Sequence, residues 1–310
     1  MSGFSGHRVR FLASVACAAA LALALLSLTG CGGSGDEASG ADFSPPKHVA
    51  EATFHADAAQ TSNGASIDTS ACADGYVGVS ATAASRLKFL VTSGQATYSY
   101  DLPQDGTAII CPLTFGDGAY EFRVMQNTSG DNFVELFSTT AQVKLKSEFA
   151  PFLIPNVYCD FSDGSDCVAQ ARKLTEDAQN EGEAVEDVCQ WIVDNVGYDD
   201  KKASELKDAS GYVPDPDATL ASKSGICFDY ASLGAAMLRS LGIPTKIVTG
   251  YVSPDQIYHA WIMVYVDGTW KSAQFSVDKD TWSRVDLTFA ASGDSKNVGD
   301  GKEYTDRYVY

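Results

Sequence analysis

The pattern of hydrophobic residues changes near residue 147, and this change constrains the fold more than any other feature of the sequence. Between about residues 49 and 146, short runs such as 120–124 alternate apolar and polar residues and are separated by Gly, Asn, Asp and Pro. A period of two is typical of antiparallel strands, so we predict an all-β, sandwich-like domain over 48–146. Helix-like and then strand-like patterns follow, and they predict an α+β domain over 147–310.

The helices of the second half are predicted from apolar periodicity. Residues 185–196 place their apolar side chains on one helical face, and an earlier helix is expected over 166–177. Residues 227–241 are apolar almost all round a helix, which indicates a buried one, and glycine and proline stop signals follow them. The polar residues 199–216 are predicted to be a loop.

The residues after the buried helix are predicted to form a sheet. Four strands are expected, at 246–252, 258–266, 270–277 and 281–289. Together with the buried helix they predict a central helix that packs against an antiparallel sheet.

The N-terminus carries a predicted export signal. Positively charged residues precede an apolar run over 11–28, and small residues stand directly before Cys31. A membrane-spanning helix is the alternative, because the run is nearly long enough to cross a bilayer. The small residues before the cysteine are instead typical of a bacterial lipobox. We therefore predict a lipoprotein signal peptide over 1–30, lipidation of Cys31, and a flexible linker over 31–47 that holds an extracytoplasmic protein to the bacterial cell membrane.

Export also affects the interpretation of the other cysteines, because disulfides form in oxidising compartments. The expected disulfide pairs are Cys72 with Cys111 and Cys159 with Cys167. Cys189 lies on the apolar face of a predicted helix and is expected to be a small buried side chain. Cys227 is then left free for chemistry.

Charge and motif content exclude several classes of function. The chain has 22 Lys and Arg against 40 Asp and Glu, a net charge of −18 without a basic stripe, so no nucleic-acid partner is expected. The four histidines do not have the spacing of metal ligands, and no metal site is predicted. No glycine-rich phosphate loop follows a strand, so we expect no nucleotide or other cofactor.

Cys227 and His259 are the candidate nucleophile and base. Cys227 opens the buried helix, where unpaired backbone N–H groups favour a thiolate and can stabilise an oxyanion. A buried structural cysteine is the alternative for this residue. His259 lies in the apolar strand predicted over 258–266, where an imidazole needs a partner or a purpose. As a base it would take the thiol proton and later protonate a leaving amine.

The base needs an acceptor for its second ring nitrogen, and two carboxylates compete for this role. Asp278 falls in a predicted turn, where acidic residues are common. Asp286 falls inside the strand predicted over 281–289, where a carboxylate between Val285 and Leu287 is costly unless it is used. We therefore favour Asp286.

These residues, in their order along the chain, resemble the transglutaminase-like superfamily. The segments that carry the resemblance are 225–231, 238–244, 248–251, 259–261, Trp282 and 286–289. The resemblance covers roughly residues 166–310 and implies a papain-like fold with a catalytic triad. Cys227 would be the nucleophile, His259 the base and Asp286 the residue that orients the base.

Two departures from the family pattern concern the triad strands. Met263 stands where the family often has an acidic residue, and an additional hairpin separates the strands of His259 and Asp286. The spacing from Trp282 ends at Asp286, whereas the same spacing from Trp270 ends at a glutamine, which cannot act as a carboxylate.

The resemblance implies acyl transfer from an amide through a Cys227 thioester. Water as the acceptor makes the protein a peptidase or amidase, and a lysine amine makes it a cross-linking transglutaminase. Peptides, proteins or cell-wall peptides are the implied substrates. The alternative function is a non-catalytic surface-binding module that has kept the same fold.

Overall fold

The computed structural model describes residues 42–310 apart from residues 208, 254–255, 268–269, 272–275, 279 and 294–303. The predicted signal peptide, Cys31 and most of the predicted linker lie outside the described residues. Within them, none of the helices has the length and apolar character needed to cross a bilayer.

The first half of the described chain contains two four-stranded antiparallel sheets, as the alternating pattern predicts. The strands are β1 (Gln60–Ser62), β2 (Ala65–Asp68), β3 (Tyr76–Ala81), β4 (Leu87–Ser93), β5 (Ala96–Leu102), β6 (Ile109–Pro112), β7 (Gly118–Ser129) and β8 (Asn132–Val143). Their orders are β1-β2-β3-β6 and β5-β4-β7-β8. Val77 and Val79 from the first sheet and Phe89 and Phe122 from the second are fully buried in the same hydrophobic core. The all-β, sandwich-like class of this half is confirmed.

The second half contains six helices and eight strands within the described residues. The helices are α1 (Asp166–Leu174), α2 (Glu181–Asn195), α3 (Asp200–Leu206), α4 (Pro216–Ser222), α5 (Cys227–Ser240) and α6 (Leu287–Ala291). The strands are β9 (Gly197–Tyr198), β10 (Ser224–Gly225), β11 (Thr245–Val252), β12 (Ile257–Tyr265), β13 (Trp270–Lys271), β14 (Ser276–Val277), β15 (Trp282–Val285) and β16 (Tyr304–Val309).

Helix α5 packs against an antiparallel sheet of order β15-β12-β11-β16, which confirms the predicted α+β arrangement. Twelve of its 14 residues are buried, because apolar side chains cover nearly its whole circumference. Gly234 lets α6 approach closely, since a Cβ atom at this position would lie 2.7 Å from Cδ1 of Leu287. The close approach of α6 brings the residues at its N-terminal end near the sheet.

Three local predictions were wrong. Residues 199–216, predicted as a loop, contain α3 and the start of α4; α3 buries no side chain and therefore leaves no apolar stripe in the sequence. The strand predicted over 270–277 is instead the hairpin of β13 and β14. The strand predicted over 281–289 ends at Val285, because Asp286 caps α6.

A buried arginine holds the C-terminal end of α5. Arg239 is 1% exposed, and its guanidinium donates to the main-chain oxygens of Thr245, Ile154 and Tyr310 at 2.8, 2.9 and 2.9 Å. These oxygens belong to three separate segments of the chain. One side chain therefore fixes the start of β11, the loop around Ile154 and the last residue, Tyr310, to the same end of α5.

The last strand, β16, contacts the all-β half. The Tyr98 hydroxyl accepts a hydrogen bond from the Val309 N–H at 3.0 Å, and the Thr114 hydroxyl donates to the Val309 carbonyl at 3.0 Å. The Tyr310 ring packs edge-on against Tyr158 with centroids 4.6 Å apart. The described residues all belong to one compact unit, and the boundary expected between residues 146 and 147 stays a prediction.

All six cysteines in the described part of the chain are free thiols, so the expected pairs Cys72–Cys111 and Cys159–Cys167 are not bonded. Cys159 Sγ lies 3.8 Å from the Ser232 carbonyl, whereas Cys167 is hydrogen-bonded to the Asp217 carboxylate. The two thiols therefore have different partners. Cys111 lies on β6 opposite Val77, while Cys72 lies in the 3-10 turn that precedes β3.

Candidate active site

Cys227 is the first residue of α5 and is partly exposed. The preceding residue, Ile226, has an extended backbone (φ −92°, ψ 175°) and offers no side-chain acceptor to the first turn. The N–H groups at the start of a helix have no partners within the helix. The thiol therefore lies beside backbone donors at the positive end of a 14-residue helix.

His259 lies on β12 and faces the same site. Its imidazole is 6% exposed, and Nε2 lies 2.9 Å from Oδ2 of Asp286. The Cys227 side chain lies close enough to the ring for its charge to act on the imidazole. Because Nε2 is engaged with the carboxylate, Nδ1 is the nitrogen that faces the sulfur. The Phe289 ring stacks on the imidazole with centroids 4.6 Å apart and so restricts its rotation.

These contacts determine the protonation of the imidazole. Burial acts to lower the pKa of His259, but the hydrogen bond to Asp286 and the interaction with Cys227, together with the negative charges of these two partners, raise it to about 10. The ring therefore holds its proton at neutral pH. A protonated imidazole between a carboxylate and a sulfur is suited to stabilise a thiolate and to donate a proton to a leaving group.

Asp286 is buried at 1% exposure but has partners on both oxygens. Oδ2 accepts from His259 and from the Tyr304 hydroxyl at 2.8 Å, and Oδ1 accepts from the Phe289 N–H at 3.1 Å. The preference for Asp286 over Asp278 agrees with this geometry, since Asp278 is exposed. The position differs from the predicted one: Asp286 is the N-cap of α6 and does not lie within a strand.

A second buried carboxylate, which was not predicted from the sequence, supports the nucleophile. Asp229, fully buried in the first turn of α5, accepts from the Ile226 N–H at 2.8 Å, from Lys202 Nζ at 2.7 Å and from the Tyr212 hydroxyl. The lysine comes from α3 and the tyrosine from the loop that follows it. Asp229 occupies the third position of the predicted helix, where an acidic residue often bonds back to the N-cap, and this signal could have identified it.

Gly225 is required by the same carboxylate. A Cβ atom at position 225 would lie 2.6 Å from Cβ of Asp229, closer than real contacts allow. The parallel pairing of β9 and β10 fixes the approach to the nucleophile, with Asp199 N–H donating to the Gly225 carbonyl at 3.0 Å. The backbone that precedes Cys227 is therefore held from two sides.

No cluster of three or more His, Cys, Asp or Glu side chains with metal-binding geometry occurs among the residues that the structure describes. The site is instead built from one thiol, one imidazole and one carboxylate. The structure brings these three side chains together from α5, β12 and the turn between β15 and α6.

Comparison with known proteins places this site in a recognisable domain. Residues 168–287 match the model of the transglutaminase-like superfamily. An uncharacterized protein of Mycobacterium leprae is 34% identical over 92 residues, which are 26% of this chain and 29% of that protein. A UPF0252 protein of Archaeoglobus fulgidus is 29% identical over 96 residues, covering 27% of this chain and 31% of that protein. The chain thus spans less than a third of the length of these relatives.

Among solved structures, the periplasmic domain of TgpA from Pseudomonas aeruginosa aligns with 72% of this chain and 74% of its own at 15% identity and a TM-score of 0.35. The family match includes both Cys227 and His259 and ends one residue after Asp286. Residues 168–287 are therefore the core of a transglutaminase-like superfamily domain.

Proposed function

We propose that this protein is a thiol enzyme that cleaves amide bonds of peptides or proteins through a thioester on Cys227. One observation carries the proposal: a single buried imidazole, that of His259, is hydrogen-bonded to the Asp286 carboxylate at 2.9 Å and interacts with the Cys227 side chain. Buried histidines with one structural partner are common, but a thiol at a helix start on the other side of the ring is an arrangement suited to nucleophilic catalysis.

The proposed first half-reaction forms the thioester. The Cys227 sulfur attacks the substrate carbonyl carbon, and the carbonyl electron pair moves onto oxygen. Backbone N–H groups at the start of α5 stabilise this oxyanion. His259 donates its proton to the amide nitrogen, the carbon–nitrogen bond breaks, and the amine leaves. Asp286 keeps the imidazole oriented and stabilises its charge throughout.

The second half-reaction releases the acyl group. Water attacks the thioester carbon, the neutral His259 takes a proton from it, and the carbon–sulfur bond breaks to give a carboxylic acid. A lysine amine in place of water would give a cross-link through the same thioester. We propose hydrolysis as the principal reaction, because water needs no dedicated binding site.

The decisive experiment offers the protein both acceptors at once. The mature protein is incubated with a peptide library and a biotinylated primary amine, and mass spectrometry detects cleaved peptides and amine conjugates together. Hydrolysis predicts new carboxyl termini that are absent with Cys227→Ala. Conjugates in excess of cleavage would instead identify a transglutaminase.

The rival function, a non-catalytic binding module, is separated by thiol reactivity. Iodoacetamide at mildly acidic pH should alkylate Cys227 rapidly in the wild type and slowly in His259→Ala. His48→Ala is a matched control, because His48 also contacts a carboxylate, Asp163, but is exposed and belongs to no thiol site. Equal alkylation of wild type and His259→Ala would favour the binding module.

We also propose that the protein is exported and held to the outer face of the bacterial cell membrane by a lipid on Cys31. The apolar run at 11–28 and the small residues before Cys31 support this location. Cells fed an alkyne-labelled fatty acid should incorporate the label into the wild type and not into Cys31→Ser. Label retained in the variant would refute the anchor.

A further inference from the structure

Tyr198 is a large, exposed side chain beside the nucleophile, and the reaction steps above give it no role. It belongs to β9, and 47% of its surface is accessible to solvent. Its backbone is nevertheless firmly held: the N–H groups of Gly197 and Asp199 donate to the carbonyls of Lys223 and Gly225 at 2.9 and 3.0 Å. An exposed aromatic ring on an anchored backbone presents a fixed chemical group to whatever binds there.

Strand pairing directs this ring toward the thiol. Tyr198 pairs in parallel with Gly225, and paired residues project to the same side of a sheet. Ile226 is extended, so Cys227, two residues after Gly225, begins on that side as well. The side in question faces the first turn of α5, since a Cβ atom at Gly225 would contact Asp229.

The Tyr198 hydroxyl differs from those of the other tyrosines around the site. Tyr212 donates to Asp229, Tyr258 donates to Thr249 at 2.9 Å, and Tyr304 donates to Asp286 at 2.8 Å. Within the described part of the chain, the Tyr198 hydroxyl makes no hydrogen bond. It is therefore a donor with no acceptor among the described residues, and it lies close enough to Cys227 for the two groups to interact electrostatically.

We propose that Tyr198 is a catalytic residue whose phenolic O–H donates a hydrogen bond to the oxyanion formed when Cys227 attacks a carbonyl. Burial of part of the ring and the nearby charges of Cys227, Asp200 and Asp229 raise the pKa of Tyr198, so the phenol keeps its proton at neutral pH. No proton is transferred in this step. The sulfur–carbon bond forms, the carbonyl pair moves onto oxygen, and the phenol and the backbone N–H groups of α5 share the new charge.

This inference rests on the proposed function, and its test uses a reaction that needs no knowledge of the natural substrate. Acetylation of Cys227 by p-nitrophenyl acetate forms an oxyanion, whereas alkylation by iodoacetamide displaces iodide and forms none. Loss of one oxyanion donor typically slows acyl transfer about 100-fold or more, and a half-exposed donor contributes less. Tyr198→Phe should therefore slow acetylation by about 10- to 100-fold, with kcat affected more than KM.

In the same variant, iodoacetamide should alkylate Cys227 at a rate within about twofold of the wild-type rate, because removal of one hydroxyl leaves the thiol and its base unchanged. Tyr258→Phe is the matched control: this tyrosine is 51% exposed, but its hydroxyl is already used by Thr249. It should acetylate and alkylate at wild-type rates.

Two results would overturn the proposal. If Cys227 is acetylated at the wild-type rate in Tyr198→Phe and the KM is raised in Tyr198→Ala, the ring serves only as an apolar surface for substrate. An equal loss of acetylation and alkylation in Tyr198→Phe would show that the phenol acts on the thiol itself. Failure of the proposed function has a different signature, since acetylation would then be slow in the wild type and no faster than in His259→Ala.

Discussion

Replacement of Asp286 by Asn tests whether the carboxylate sets the protonation of the base. The pKa of His259 is raised from 6.5 to about 10, a difference that corresponds to roughly 5 kcal/mol at about 1.4 kcal/mol per unit. Asp286 and Cys227 share this effect. A neighbouring carboxylate typically accounts for about 1–3 units, so Asp286→Asn should lower the pKa of His259 by that amount.

The raised pKa also links stability to pH. A histidine whose pKa is higher in the folded protein contributes stability that is fully present below pH 6.5 and is lost as the pH rises through about 10. The difference in unfolding free energy between wild type and Asp286→Asn should therefore have its full size below the lowered pKa of the variant, about 7–9, and should disappear as the pH rises from there through about 10. The loss at pH 6 should be roughly 1–4 kcal/mol, the equivalent of 1–3 units.

Nuclear magnetic resonance measures the pKa of His259 directly, because the chain has only four histidines and their signals can be told apart. Long-range ¹H–¹⁵N spectra of the rings follow each titration, and His259→Gln assigns the relevant signal. Urea denaturation at pH 6 and at pH 10 measures the difference in unfolding free energy between the two proteins. Asp163→Asn is a control, since it removes a carboxylate that contacts a different, exposed histidine, His48, and should leave the titration of His259 unchanged.

Two results would refute this reasoning. A wild-type His259 that titrates near 6.5 would show that the pair with Asp286 does not stabilise the imidazolium. A His259 pKa that is high in both proteins would assign the effect to Cys227 alone, and the Asp286→Asn, Cys227→Ala double variant would then return it to the ordinary value.

Three further substitutions test the buried contacts around α5. Lys202→Met leaves the buried Asp229 without its cation and should lower the unfolding free energy, measured by urea denaturation, by about 3–5 kcal/mol. The double variant Lys202→Met, Asp229→Asn should recover part of this loss. An unchanged unfolding free energy in Lys202→Met would refute the role of this pair. Gly225→Ala places a methyl group 2.6 Å from Cβ of Asp229 and should cost about 1–3 kcal/mol and slow alkylation of Cys227, so an unchanged alkylation rate would contradict the requirement for glycine. Arg239→Met removes the guanidinium from three main-chain oxygens, of which that of Tyr310 keeps the Ile247 N–H as a donor, and should lower the unfolding free energy by about 3 kcal/mol. A change below about 1 kcal/mol would show that water replaces the guanidinium.

The sequence predicted the elements that bury a continuous apolar face. Helix α5 was expected over 227–241 and spans Cys227–Ser240, because its composition and its stop signals act locally. The strand of His259 was expected over 258–266 and spans Ile257–Tyr265 for the same reason. Local sequence patterns are sufficient to predict a helix or strand that is buried along its whole length.

The remaining elements depend on contacts between distant parts of the chain. Strand β16 pairs with β11, more than 50 residues earlier, so its partner cannot be predicted from a local pattern. Helix α3 buries no side chain and is held to α5 by Lys202, whose partner Asp229 is 27 residues away. Asp286 was preferred over Asp278 because a carboxylate between two apolar residues is costly without a partner, but its position as the cap of α6 depends on the packing of α6 against α5.

Buried polar groups hold α5 at both ends, Asp229 in its first turn and Arg239 in its last. Movement of the helix along its axis by one turn, about 5.4 Å, would break both sets of hydrogen bonds together. Activation or inhibition by displacement of the sulfur is therefore energetically costly in this fold. The segment 199–215 is tied to the same end of the helix, because its Lys202 and Tyr212 bind Asp229, so its detachment would leave a buried carboxylate beside the nucleophile without these two partners.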